Sequence, residues 1–192
     1  MRRLALIVVV SVAVLFALAT FVGKPFPPDT TPEGAYLRIA KSLGDDAPRD
    51  IFAYLETEAQ WASYSIRDAR KRAIERIRGS YPAGERERAA AELAPFAEAP
   101  DGADVFALYA RRRGWVGRLR KDLSGIASTE VNGERATVVT VRGTRYPFRR
   151  RDNGIWGLTM FTADLLAESE KATRDLGIVE RAADDYDHAK AR

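Results

Sequence analysis

The chain of 192 residues has no cysteine and a single histidine, His188, near its C-terminus. Without cysteine there is no disulfide frame, no thiolate metal site and no thiol nucleophile. One histidine, between Asp187 and Ala189, leaves Ser-His-Asp catalysis and multi-histidine metal binding without material, and it reads as ordinary surface. The 14 glycines and 9 prolines are too few for a low-complexity or collagen-like protein. No catalytic residue, metal or cofactor is indicated. What remains, 46% hydrophobic and 30% charged, is the composition of one globular domain with an appendage.

Charge is missing from one long stretch. After Arg2 and Arg3 the 19 residues from Leu4 to Val22 are uncharged, enough to cross a hydrocarbon layer of about 30 Å. Residues 1–23 therefore read as a single-pass membrane anchor, with the N-terminus in the cytoplasm and the bulk outside it by the positive-inside bias. The alternative is a signal segment cleaved after Ala19, since Ala17, Leu18 and Ala19 form a small-any-small site; the protein is then secreted. Pro25, Pro27 and Pro28 make residues 24–31 a stiff spacer, and the domain proper is expected at 32–161.

Helices come first. Thr31, Pro32 and Glu33 form a cap, first position and acidic first turn, and Tyr36, Ile39, Ala40 and Leu43 then recur at helical spacing. A short helix is expected near Arg49 to Leu55. From Glu56 to Gly79 an apolar stripe of Ala59, Ala62, Ile66, Ala69, Ala73, Ile74 and Ile77 faces away from Arg67, Arg70, Lys71, Glu75 and Arg78. Two further helical segments, Ala83 to Ala97 and Ala103 to Arg112, make an insert near 82–113.

After Gly117 the pattern becomes that of strands. Asn132-Gly133 between Ile126–Val131 and Arg135–Arg142 predicts a hairpin with a type I′ turn. Arg145–Arg150 and Ile155–Phe161 follow as third and fourth strands, with Tyr146, Phe148, Trp156, Leu158 and Met160 on the core face and Arg145, Arg149 and Arg151 on the other. A C-terminal helical extension, 162–192, buries Leu165, Ala172, Leu176, Val179, Ala183 and Tyr186, with a kink or break expected at Gly177. The class is α+β: helices on one face of an antiparallel meander of about four strands, then a C-terminal helix.

The opening Thr31-Pro32-Glu33-Gly34-Ala35-Tyr36, the hairpin from Glu130 to Val138 and the closing run Asp152-Asn153-Gly154-Ile155-Trp156-Gly157-Leu158 resemble the cone-shaped α+β superfamily of nuclear transport factor 2-like and SnoaL-like domains. The similarity is to its small exported bacterial members without assigned activity, over roughly residues 30 to 162. Its enzymatic relatives, isomerase-like and hydrolase-like, imply a cup holding acidic or tyrosine groups and a small apolar substrate. The core-face positions here carry no carboxylate. Tyr64 and Asp68, one helical turn apart, and Tyr109 are the candidate pocket lining.

Charge is segregated. Residues 111–151 hold 12 basic and 3 acidic residues, a net of +9, against −7 for the rest of the chain beyond residue 22. Arg111, Arg112, Arg113, Arg149, Arg150 and Arg151 are candidates to bind an anionic partner, an acidic protein surface or anionic lipid. The competing expectation is internal pairing with the acidic C-terminal helix. Nucleic acid is disfavoured by the export segment. Together these features describe a membrane-anchored, extracytoplasmic, non-catalytic binding or assembly module, with a cone-fold enzyme as the alternative.

Overall fold

Thr31 caps the first helix as its sequence dictates: its Oγ1 accepts from the Gly34 N–H at 3.1 Å and donates to the Pro28 carbonyl at 2.8 Å. The computed structural model describes residues 26–192; the segment read as an anchor or signal lies outside the described residues. Among those residues no helix is long and apolar enough to cross a membrane.

Helix α1, Pro32–Gly44, is followed by a 3₁₀ segment, Pro48–Tyr54, where the short helix was expected. Then come α2 (Thr57–Ser80), α3 (Ala83–Ala91), α4 (Ala94–Ala97), α5 (Gly102–Arg112) and α6 (Trp115–Asp122). The single insert helix expected over Ala83 to Ala97 is two, because Pro95 lacks the N–H that would continue it. Helix α6 was not anticipated. Gly114, at φ 67°, ends α5 and allows a new helix whose Trp115, Val116 and Leu119 are buried.

Four strands, β1 (Ile126–Asn132), β2 (Arg135–Thr140), β3 (Arg145–Arg150) and β4 (Trp156–Leu158), pair antiparallel in the order 1-2-3-4. Asn132 pairs with Arg135, so Gly133 and Glu134 occupy the turn, and of the turn and its flanks only Gly133 has positive φ, 57°. That is the type II′ pattern and corrects the expected I′ turn centred on Asn132-Gly133. Across the sheet Val138 and Tyr146 are partners, as are Ala136, Phe148 and Leu158, and all five are buried. They meet Ala35, Tyr36 and Ile39 of α1 in one core. Met160, expected in this set, is 40% exposed: β4 ends at Leu158, so the alternation no longer governs residue 160.

Helix α7, Thr162–Lys190, runs through Gly177 without a break. Leu165, Ala172, Leu176 and Ala183 are buried as expected, whereas Val179 and Tyr186 are half-buried. Helices α2 and α7 start side by side. The Glu56 N–H donates to the Leu158 carbonyl at 3.2 Å, and Gly157 lies so close that a Cβ there would sit 2.6 Å from the Glu56 Cα. From that shared root the two helices run parallel, joined by Arg70–Asp175 (2.7 Å), Arg72–Glu180 (3.1 Å), Arg76–Asp184 (2.6 Å) and Ser80–Asp187 (2.7 Å).

The proline-rich spacer does not hang free over its described part. Arg38 donates to the Pro27 carbonyl at 2.6 Å, and Trp156 donates from its backbone to Asp29 (3.3 Å) and from its indole to Thr30 (3.1 Å). A Cβ at Gly34 would overlap the Pro28 carbonyl oxygen. Residues 27–30 are thus fastened to α1 and β4.

Candidate functional site

Helix α5 is fixed at its start by Asp101, whose carboxylate accepts from the N–H groups of Ala103 (2.8 Å) and Asp104 (3.1 Å) and from Arg49 (2.6 Å). Burial pushes this carboxyl up, but those hydrogen bonds and the Arg49 charge outweigh it and hold it below the usual carboxylate range. So anchored, α5 presents Tyr109, Arg112 and Arg113 at helical spacing. Helix α7 presents Glu168, Lys171, Asp175, Ile178 and Val179 opposite.

Between them is a cleft of about 830 Å³, inside the range of roughly 300–1,000 Å³ typical of small-molecule sites. Its floor is Arg70 of α2, whose side chain is only 8% exposed and is paired with Asp175 at 2.7 Å. One end is closed by Glu168, which accepts from Tyr109 Oη at 3.0 Å and from the Arg113 guanidinium. Beyond the other end Tyr186 Oη donates to Glu85 of α3 at 2.7 Å. Burial first, and then the Glu168 carboxylate, push the Tyr109 hydroxyl well above the ordinary tyrosine range, so it stays a protonated donor. The Phe96 and Tyr109 rings stack with centres 4.7 Å apart, and the Arg112 guanidinium lies 4.7 Å from the Phe96 ring centre on that wall.

No family model, curated protein or solved structure matches this chain.

The candidate residues divide among several places. Tyr109, Arg112 and Arg113 share the cleft just described. Tyr64 lines another, of about 550 Å³, with Phe52, Tyr54 and Asp101. Asp68 is exposed beside Arg67 at 3.3 Å and does not line that cleft with Tyr64. Arg111 lies at the outer surface with Glu98 and Asp104. Arg149, Arg150 and Arg151 line a small recess near the start of α2 together with Glu56, Glu58, Glu134 and Asp152. There Arg149 pairs with Glu58 at 3.0 Å, and Arg151 donates to the Ala53 carbonyl at 2.8 Å.

This corrects the expected pairing of the basic segment with the C-terminal helix. Within that segment Arg113 reaches α7, at Glu168, while the other acids of α7 mostly pair with cations of α2. The segment count hid those α2 arginines inside an acidic remainder. Helical spacing puts Arg70 on the wet side of α2, yet its side chain is buried and forms part of the site. The available signal was the meeting of two amphipathic helices of opposite charge.

Proposed function

We propose that the protein is a membrane-anchored, extracytoplasmic, non-catalytic module that binds a ligand or partner in the cleft between α5 and α7. The observation that supports this most is the state of the cleft's inner carboxylates. Glu168 is taken up by Tyr109 and Arg113, and Asp175 by Arg70. A general base needs a carboxylate free to accept a proton from substrate. These two serve instead to hold the walls in place.

The likeness to cup-shaped domains would put a pocket over the sheet. Tyr36, Tyr146, Phe148 and Leu158 fill that face, so the reading locates binding on the helical side. The anchor reading supplies the setting: a domain displayed outside the cytoplasm, reached by solutes and neighbouring proteins of that compartment.

Two measurements test this. A topology reporter fused after Arg192 is expected to be active only outside the cytoplasm; activity inside contradicts the location. Incubation of the purified protein with a small-molecule extract, followed by mass spectrometry, is expected to show no component converted to product while one or more co-purify with the protein in stoichiometric amount. Steady consumption of a component contradicts a non-catalytic role.

A further inference from the structure

The chemistry of the cleft narrows what it can hold. Four cations line it, Arg70, Arg112, Arg113 and Lys171, against three carboxylates, Glu92, Glu168 and Asp175. Arg70 and Arg113 are consumed by Asp175 and Glu168, which leaves Arg112 and Lys171 without a carboxylate partner among the described residues. Against them stands Glu92. One positive charge is left over, near an apolar wall made of Leu93, Phe96, Ile178 and Val179. Ile178 is 57% exposed, a large aliphatic group left in water on that wall. Arg112 lies over the Phe96 ring with its guanidinium carbon 4.7 Å from the ring centre, and without a carboxylate partner its N–H groups are available to fork a ligand carboxylate.

We infer that this cleft is a site for a small amphipathic organic monoanion, its acid head on Arg112 and Lys171 and its apolar body along Leu93, Phe96, Ile178 and Val179. The inference rests on the binding-module reading and adds to it the chemical class of the ligand. Helix α3 has no buried residue and packs on the core through partly buried Ala89 and Ala90, so a ligand that covers Ala89 and Leu93 also adds to that packing. Such an acid could be lipid-derived, with a flexible aliphatic body, or soluble, with a rigid aromatic one. Both satisfy the same contacts.

The test is calorimetric titration of the full chain in neutral phosphatidylcholine nanodiscs, with empty discs subtracted. Octanoate and 2-naphthoate are the probes, and octanol is the uncharged reference. Saturable one-to-one binding of at least one acid is expected, with octanol much weaker; the tighter acid identifies the source. The double variant Arg112→Gln, Lys171→Gln changes only exposed side chains and is expected to weaken acid binding by about tenfold or more without altering octanol. Ile178→Ser is expected to weaken the acids while leaving the fold intact, because that side chain already faces water. Failure of both acids to saturate, acid binding unchanged in the double variant, or octanol binding as tightly as octanoate would overturn the ligand class. An extract component that is retained but uncharged would overturn it too while leaving the module reading intact, whereas a component that is consumed removes the module reading itself.

Discussion

At the scale of single residues, three buried tyrosines differ in what their hydroxyls meet. Tyr36 donates to the Ser124 carbonyl at 2.8 Å and Tyr109 to Glu168 at 3.0 Å, but Tyr146 Oη has no hydrogen-bond partner among the described residues. A buried polar group without a partner costs stability, and removing it is nearly neutral or favourable. Tyr146→Phe should therefore melt at or above the wild-type temperature. Tyr109→Phe takes a donor from a mostly buried carboxylate and should cost about 1 to 3 kcal/mol. Thermal melts of the two variants check the contrast. Burial, with smaller contributions from Tyr36 and Asp122, pushes Tyr146 up to about 12, and Tyr36 and Tyr109 are also raised, chiefly by burial. The folded chain thus holds these protons more tightly than the unfolded chain does. Their contribution to stability is complete below the ordinary tyrosine value near pH 10 and is lost as pH rises from there through the folded values. Melting followed between about pH 9 and 12, with phenolate absorbance as the second probe, should show stability falling only above about pH 10. A flat profile across that window would contradict the burial of these rings.

Among the elements, the parallel pairing of α2 with α7 sets the shape of the site. At 1.5 Å per residue, α2 with 24 residues and α7 with 29 extend for about 36 and 43 Å from their common root. Their ion pairs are unequal. Arg72–Glu180 and Arg76–Asp184 lie in water, where such pairs contribute roughly 0 to 1 kcal/mol each. Arg70 is buried, so Asp175→Ala strands its charge and should cost several times more than Glu180→Ala or Asp184→Ala, about 3 kcal/mol. Equal losses in the three variants, measured by denaturant unfolding, would contradict that ranking. The root itself depends on Gly157. A Cβ there meets the backbone of Glu56, which cannot swing aside as a side chain can, so Gly157→Ala should lower stability more than Gly177→Ala, where the nearest atom is the far end of Arg181.

The same contrast shows what was legible in the sequence. Thr31-Pro32-Glu33 and the apolar stripe from Ala59 to Ile77 act through neighbours a few residues away, and their helices form where the spacing puts them. Strand pairing was legible for the same reason, apart from the turn. At the turn, Gly133 takes the only positive φ and pulls the register one residue past the dipeptide that signals it. Met160, Gly177 and Arg70 were misread because their surroundings are set by distant chain: the early end of β4, and the long contact between α2 and α7 that keeps α7 straight and covers Arg70. The site was half legible, with Tyr109, Arg112 and Arg113 named and Glu168, Asp175 and Ile178 supplied by a helix 55 or more residues away in the chain.

For the whole molecule, part of the charge asymmetry is answered inside the fold, by ion pairs of Arg113, Arg120, Arg145 and Arg149 within the basic segment. Half of the acids of α7 are answered by α2, Arg149 by Glu58, Arg145 by Glu130 and Arg120 by Asp46. The cations left over at the cleft are the ones with an apolar wall beside them. The ligand is proposed to occupy the cleft between α5 and α7 and not the core face of the sheet. Hydrogen exchange of the full chain, with and without saturating 2-naphthoate or octanoate, tests it most directly. Slower exchange is expected within residues 89–96 and 168–179, with residues 126–158 unchanged. Protection concentrated in residues 126–158 instead, with none along α7, would contradict it.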